Sequence, residues 1–112
     1  MFSGLRKNSW LIHDIRQIEK SGFSAFSAPS FAAHLAGLGA STLVLSGVET
    51  DVCVLATALE AVDRGFRVIV ASDAVTSSSP AGHRAALDHI LPRFEFMLEL
   101  ATSAEIIAAW CG

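Results

Sequence analysis

The sequence contains few charged residues, and these form no basic stripe. Aspartate, glutamate, lysine and arginine make up 17% of the 112 residues, against about a quarter in an average domain. The formal net charge is −3, which argues against a nucleic-acid partner. No apolar run approaches the roughly 18 residues that span a bilayer, so we expect no membrane segment. The N-terminus lacks the pattern of a secretion signal, which predicts a cytoplasmic protein.

Cysteine is also scarce. Cys53 lies mid-chain and Cys111 next to the C-terminus, so neither a disulfide framework nor a zinc spacing is present. In a reducing cytoplasm we expect both to be free thiols. His13, His34 and His89 show no ligand spacing, and we expect no metal and no other cofactor. No Gly-x-Gly-x-x-Gly motif occurs, which leaves nucleotide binding as the weakest hypothesis.

Apolar sequence is abundant. Hydrophobic residues make up 52% of the chain, and the mean hydropathy of +0.49 is high for a small chain. A lone small domain buries a limited fraction of its surface. We therefore expect burial against partner chains, as in a homo-oligomer, or against a further part of the fold.

The order of periodic segments predicts an α/β layered fold. Continuous apolar runs predict strands, and spacings of three and four predict helices. The predicted strands are 42–46, 67–72 and 94–100, with a short strand within 10–18; the predicted helices are 29–38, 51–64, 80–90 and 102–110. A strand, a helix and a strand within roughly 30 residues form a βαβ unit, so the strands should be parallel.

Cys53 is the candidate reactive residue. It follows the strand 42–46 and lies in the first turn of the helix 51–64. Ligand sites in open α/β sheets form at the carboxyl ends of strands. The amides and dipole of a helix start favour a thiolate there and could hold an oxyanion. The alternative, a small buried thiol on an apolar helix, stays open on this pattern alone.

The polar residues around this turn are interpreted as helix caps or structural residues. Thr50 or Asp51 could cap the helix that contains Cys53. Asp73, at the end of the next strand, and His83, early in the following helix, are interpreted as structural residues. Thr102 or Ser103 should cap the last helix, with Glu105 in its first turn.

Three segments resemble the isochorismatase-like cysteine hydrolases, a superfamily that includes nicotinamidases and N-carbamoyl and ureidoacrylate amidohydrolases. Ser46–Ala58 resembles the nucleophile segment, Ala61–Ala74 its continuation and Ile18–Phe26 the lysine segment of the superfamily. The resemblance covers roughly residues 15–108. It implies a three-layer α/β/α, Rossmann-like fold with a mainly parallel sheet.

The resemblance also implies roles for individual residues. Cys53 would be the nucleophile that forms a thioester, and Lys20 would orient its thiol and stabilise charge. The Val48–Glu49 peptide would be cis, and the amides of Glu49 and Cys53 would form the oxyanion hole. The aromatic residues Phe23 and Phe26 flank the lysine and could form walls of a substrate pocket.

One part of the superfamily pattern is not found. Its general base is an aspartate on a strand well upstream of the lysine segment, whereas Asp14 lies too close to Lys20 for that place. We therefore expect residues 1–112 to be the C-terminal part of the domain, without its first strand or strands. The metal-binding Asp-x-His pattern of nicotinamidase relatives is absent as well.

Two functional hypotheses follow from the sequence. The first is a cysteine hydrolase that cleaves a C–N bond of a small amide or carbamoyl compound. The second is a truncated, non-catalytic α/β module that acts as an oligomer subunit or interaction partner. The missing aspartate leaves open whether the chain is an enzyme, and the Cys53 and Lys20 motifs favour hydrolysis.

Overall fold

The computed structural model of the protein describes residues 16–111, and of Cys111 only the backbone. Asp14, His13 and most of the short strand predicted within 10–18 lie outside this range. Residues 16–20 form no regular helix or strand and lead into a single turn of 3₁₀ helix at Ala25–Ser27.

Three parallel strands form the sheet of the described chain. They are β1 (Thr42–Val48), β2 (Arg67–Thr76) and β3 (Leu98–Ala101). β2 lies in the middle, and its Val68 pairs with Leu43 of β1 and Leu98 of β3. The pairing of β1 with β2 shifts near its carboxyl end, from Leu45 with Val70 to Gly47 with Val75. The predicted parallel sheet is confirmed.

Four α-helices accompany these strands in the described residues. They are α1 (Pro29–Leu38), α2 (Leu55–Asp63), α3 (Pro80–Ala85) and α4 (Ser103–Cys111). Proline at the start of α1 and left-handed Gly39 at its end fix that helix where the sequence predicts it. π-helical turns at Thr50–Val54 and Ala86–Ile90 precede α2 and follow α3.

Helices cover both faces of the sheet. Leu43, Val68 and Leu98 point to one face and pack with residues from α1, α2 and the segment after α3. On the other face, Ile69 packs with Ile106 of α4. Because both faces of the central strand are covered, Val68, Ile69 and Val70 are fully buried. This is the predicted three-layer α/β/α arrangement.

Several predicted element boundaries are wrong. β1 and β2 extend to Val48 and Thr76, beyond the predicted ends at 46 and 72, and the helix predicted for 80–90 is α-helical only to Ala85. The helix predicted for 51–64 is α-helical only from Leu55, because its first turn is π-helical. The strand predicted for 94–100 begins only at Leu98, because Phe94 ends a 3₁₀ helix that starts at Leu91 and residues 95–97 form a turn.

Candidate active site

The turn after β1 places Cys53 at the carboxyl edge of the sheet. Gly47 has a φ of 104°, which an L-residue with a side chain rarely adopts. The next peptide bond, Val48–Glu49, is cis, as the resemblance implies. The Glu49 carbonyl oxygen then accepts hydrogen bonds from the amides of Val52 and Val54, both at 3.1 Å. These bonds fix the backbone on either side of Cys53.

The structure brings Lys20 and Cys53 together although 33 positions separate them in the sequence. The Lys20 Nζ lies 3.7 Å from the Cys53 Sγ and donates a 2.7 Å hydrogen bond to the Gly22 carbonyl oxygen. The amide of Ala25 donates to Thr57 Oγ1 at 2.9 Å. Because Thr57 belongs to α2, this bond attaches the lysine segment to the helix that follows Cys53.

Three consecutive side chains of the turn are bonded to the segment after β2. Ser78 donates to the Glu49 carboxylate through its amide, at 2.8 Å, and through its hydroxyl. Thr50 Oγ1 lies 2.7 Å from His83 Nδ1, and Ser77 Oγ donates to Asp51 Oδ1 at 2.6 Å.

The prediction that Thr50 or Asp51 caps the helix is therefore wrong. The residue before the π-helical turn, Glu49, makes no side-chain capping bond either. The hydroxyl and the carboxylate have their partners after β2 instead.

The electrostatics of the turn reflect these bonds. The two hydrogen bonds from Ser78 hold the pKa of the Glu49 carboxyl below its ordinary value. Hydrogen bonds to the charged form of a carboxylate favour that form. Glu49 is therefore a carboxylate at neutral pH and keeps its bonds to Ser78.

The two predicted substrate-pocket residues occupy different environments. The Phe23 side chain is 68% exposed. Phe26 is only 6% exposed, and its ring packs on Phe31 and Phe66 with the Arg64 guanidinium above it. Phe26 is thus a core residue, whereas a pocket role for Phe23 stays a prediction.

Two of the open cavities in the described part of the chain bear on the position of the site. One, of about 260 Å³, is next to the lysine segment; its lining residues are Arg16, Ile18, Lys20, Ala25 and Phe31. The other, of about 280 Å³, lies beside β3 and has no residue of the Cys53 turn in its lining. We associate the first with the site, because Lys20 contacts both this cavity and the Cys53 sulfur.

The contact of the serine-rich run Thr76–Pro80 and of His83 with the Cys53 turn is the part of the site that the sequence did not predict. The run is typical of a loop before a helix, and His83 is interpreted above as a structural histidine. Both interpretations are compatible with the structure, but neither predicts contact with the Cys53 turn. The order of the strands contains the only sequence signal, because the carboxyl ends of neighbouring parallel strands lie at one edge of a sheet.

Residues 16–111 contain neither a cluster of metal-binding side chains nor a membrane-spanning helix. No cluster of three or more histidine, cysteine, aspartate or glutamate side chains is arranged to hold a metal ion. None of the helices in this range is long and apolar enough to cross a membrane.

The model of the isochorismatase domain matches residues 12–102. The chain belongs to the isochorismatase family. It is 40% identical over 76 residues to the uncharacterized isochorismatase family protein PncA of Bacillus subtilis, a match that covers 68% of this chain and 42% of that protein. It is 30% identical over 82 residues to nicotinamidase 3 of Arabidopsis thaliana, which covers 73% of this chain and 41% of that protein.

Solved structures of isochorismatase-like proteins have the same fold. An isochorismatase-like hydrolase from Alkaliphilus metalliredigens superposes with a TM-score of 0.75 and 27% identity, over 88% of this chain and 54% of that one. This chain therefore spans about half the length of the isochorismatase-family proteins that it matches.

Proposed function

We propose that this chain provides the nucleophile and lysine of a cysteine hydrolase that cleaves a C–N bond of a small amide or carbamoyl compound. The single observation that carries the proposal is the 3.7 Å distance between Lys20 Nζ and Cys53 Sγ, at the carboxyl edge of a parallel sheet. Membership of a family with nicotinamidase relatives supports an amide as the substrate class.

The Lys20–Cys53 pair suits nucleophilic attack. An ammonium group close to a thiol favours the thiolate, which is the reactive form of cysteine. The position of Cys53 in the first turn after β1 adds the partial positive charge of the helix start. Lys20 is held in place by its bond to the Gly22 carbonyl oxygen. We propose that Lys20 orients the sulfur and stabilises its negative charge.

The proposed reaction has two steps. The Cys53 sulfur attacks the carbonyl carbon, the C–N bond breaks, and the leaving amine takes up the proton that the thiol has lost. Water then adds to the thioester, which releases the acid and returns the proton to the thiol. The amides of Glu49 and Cys53 are proposed to stabilise the oxyanion in both steps. Exposed Phe23 is proposed to contact the substrate.

The test compares two cysteine variants over a panel of small primary amides and N-carbamoyl amino acids, with ammonia release as the readout. Cys53→Ala should lower turnover by about a thousandfold or more, as loss of a nucleophile does in other hydrolases. Cys111→Ala is the matched control and should retain turnover. Mass spectrometry of the quenched wild-type reaction should detect the acyl adduct on Cys53. Equal turnover by Cys53→Ala and the wild type would exclude the mechanism.

A second candidate function is a non-catalytic module that associates with copies of itself or with another protein. The observation that favours it is the apolar surface along β1. In the described chain β1 pairs only with β2, and its Val44 and Val48 are 37% and 62% exposed. Sedimentation velocity of the purified chain separates the candidates: a stable oligomer with no turnover on the panel would support the module.

A further inference from the structure

We propose that the segment Ser77–His83 is a positioning element for the Cys53 thiol, with His83 as its central positioning residue. We call this segment the buttress. The inference rests on the proposed function only in that it takes Cys53 as the nucleophile. The contacts themselves do not depend on which substrate the chain accepts.

The buttress holds three successive residues of the turn through three different side chains. The bonds link Glu49 to Ser78, Thr50 to His83 and Asp51 to Ser77. Cys53 follows two residues after the last of them. Four hydrogen bonds from one segment restrict both the position and the rotation of the turn, which a single bond would not do.

The Thr50–His83 contact is the most shielded of the three. The Thr50 residue has no exposed surface, whereas His83 is partly exposed. A buried hydroxyl that loses its partner keeps the full cost of its desolvation. The histidine ring reaches Thr50 through Nδ1 at 2.7 Å, so the contact depends on one particular ring nitrogen.

The buttress itself is held rigidly against the turn. The Ser79 hydroxyl accepts a hydrogen bond from the amide of Gly82 at 3.0 Å and the Ser79 carbonyl oxygen one from the amide of His83 at 2.9 Å. A β-carbon at Gly82 would overlap Asp51 Oδ2. The closeness at Gly82 shows that the turn and the buttress are in direct contact and leave no room for a side chain.

This arrangement bears on the reactivity of the thiol. Lys20 and Cys53 belong to separate segments, so the 3.7 Å between Nζ and Sγ depends on where the turn lies. Movement of the turn away from the buttress would change this distance and the orientation of the sulfur. His83 therefore acts on the reaction through Thr50 and the turn, without touching a substrate.

The test measures the rate at which iodoacetamide alkylates Cys53 at pH 7, in a Cys111→Ser background so that one thiol reacts. His83→Gln removes the acceptor or donor at the Nδ1 position and should lower the rate about fivefold, the effect of one hydrogen bond. His83→Asn replaces Nδ1 by an amide group at the same distance from the backbone and should restore most of the rate. His89→Gln, an exposed histidine beyond α3, is the matched control and should leave the rate unchanged.

A purely structural histidine would give a different pattern. Rates are compared for variants that keep the wild-type circular dichroism spectrum at the assay temperature, and each is referred to the rate of the urea-unfolded chain. Equal alkylation rates for wild type, His83→Gln and His83→Asn would overturn the proposal.

If His83→Gln fails to fold, Ser77→Ala/Ser78→Ala decides the question. This variant removes two hydroxyl donors from a loop near the surface and should also lower the rate about fivefold. An unchanged rate would overturn the proposal. The readout requires no turnover, so an inactive chain with a slow His83→Gln thiol supports the buttress while excluding the hydrolase. An active chain in which His83→Gln leaves the alkylation rate of Cys53 unchanged would support the hydrolase and overturn the buttress.

Discussion

The turn before α2 and the start of α4 use their polar side chains differently. Each follows the carboxyl end of a strand and contains hydroxyl and carboxylate residues. At α4, Thr102 and Glu105 bond to each other reciprocally, as in a capping box. The Asp73 carboxylate adds two 2.7 Å bonds from the amide and hydroxyl of Ser103. The predicted cap of α4 and the structural role of Asp73 agree with these contacts.

At the turn before α2, no side chain caps the helix. Glu49, Thr50 and Asp51 instead bond to residues after β2. The α4 start therefore has a local cap as well as bonds to Asp73 of β2, whereas the turn before α2 has no side-chain cap and its polar side chains bond only to the segment after β2. This difference indicates that polar side chains at a helix start beside a nucleophile can position the nucleophile's turn and leave the helix uncapped.

The largest effect is expected from Gly82→Ala, because the new β-carbon would overlap the Asp51 carboxylate and displace it from its bond with Ser77. Overpacking of this kind costs about 1–3 kcal/mol of unfolding free energy, measured by urea denaturation. The Cys53 alkylation rate should fall in the same variant.

Gly37→Ala is the control for Gly82→Ala. A β-carbon at Gly37 in α1 meets no atom within 4 Å. It should stabilise the protein by about 0.5–1 kcal/mol, since alanine is the better helix residue, and leave the thiol rate unchanged. Equal effects of the two substitutions would refute the close contact at Gly82.

A smaller effect is expected from Thr102→Ala at the start of α4. It removes one half of the capping box and should lower the unfolding free energy by about 1 kcal/mol. Because the hydrogen bonds of Thr102 stay within the α4 start and do not reach the turn of Cys53, the alkylation rate should not change. If Thr102→Ala lowered the alkylation rate of Cys53 as much as His83→Gln does, the proposed difference between the two helix starts would be refuted.

The smallest effect is expected in the dependence of the unfolding free energy on acid pH. Hydrogen bonds from Ser78 lower the pKa of Glu49, and hydrogen bonds from Ser103 lower that of Asp73. A carboxyl with a lowered pKa stabilises the fold above its ordinary value, here 4.5 and 3.8, and this contribution is lost as the pH falls through the folded pKa.

The acid effect is checked with neutral variants at both helix starts. Unfolding free energies at pH 6 and pH 3 should differ less in Glu49→Gln and in Asp73→Asn than in the wild type. Both carboxylates lie at the surface, where such contributions are small. The same acid dependence in Glu49→Gln and the wild type would show that the Ser78 bonds do not select the charged carboxylate.

Local patterns were sufficient for most of the fold. The apolar runs at 42–46 and 67–72 predict strands, since such runs fit positions that are covered on both faces. Proline and glycine fix the bounds of α1. The π-helical turn at Thr50–Val54 and the 3₁₀ helix at Leu91–Phe94 were not predicted. The α-, π- and 3₁₀-helical forms place apolar residues at similar spacings, so the pattern of apolar residues does not distinguish between them.

The candidate site was predicted in part. The resemblance named Cys53 and Lys20, and the structure has them in contact. Phe26 was assigned to a pocket because it is aromatic and near the lysine, but its ring is buried in the core. Sequence distance from Lys20 does not determine which way a side chain points, whereas packing on Phe31 and Phe66 does.

The sequence by itself determined the alternation of strands and helices and the position of Cys53 in the first turn after a strand. Periodicity and turn residues act over a few positions, so they suffice for these features. Only the tertiary structure decided which polar side chains meet Glu49, Thr50 and Asp51. The parallel crossover places the end of β2 beside the end of β1, and a hydrogen bond forms with the partner that is nearest in space.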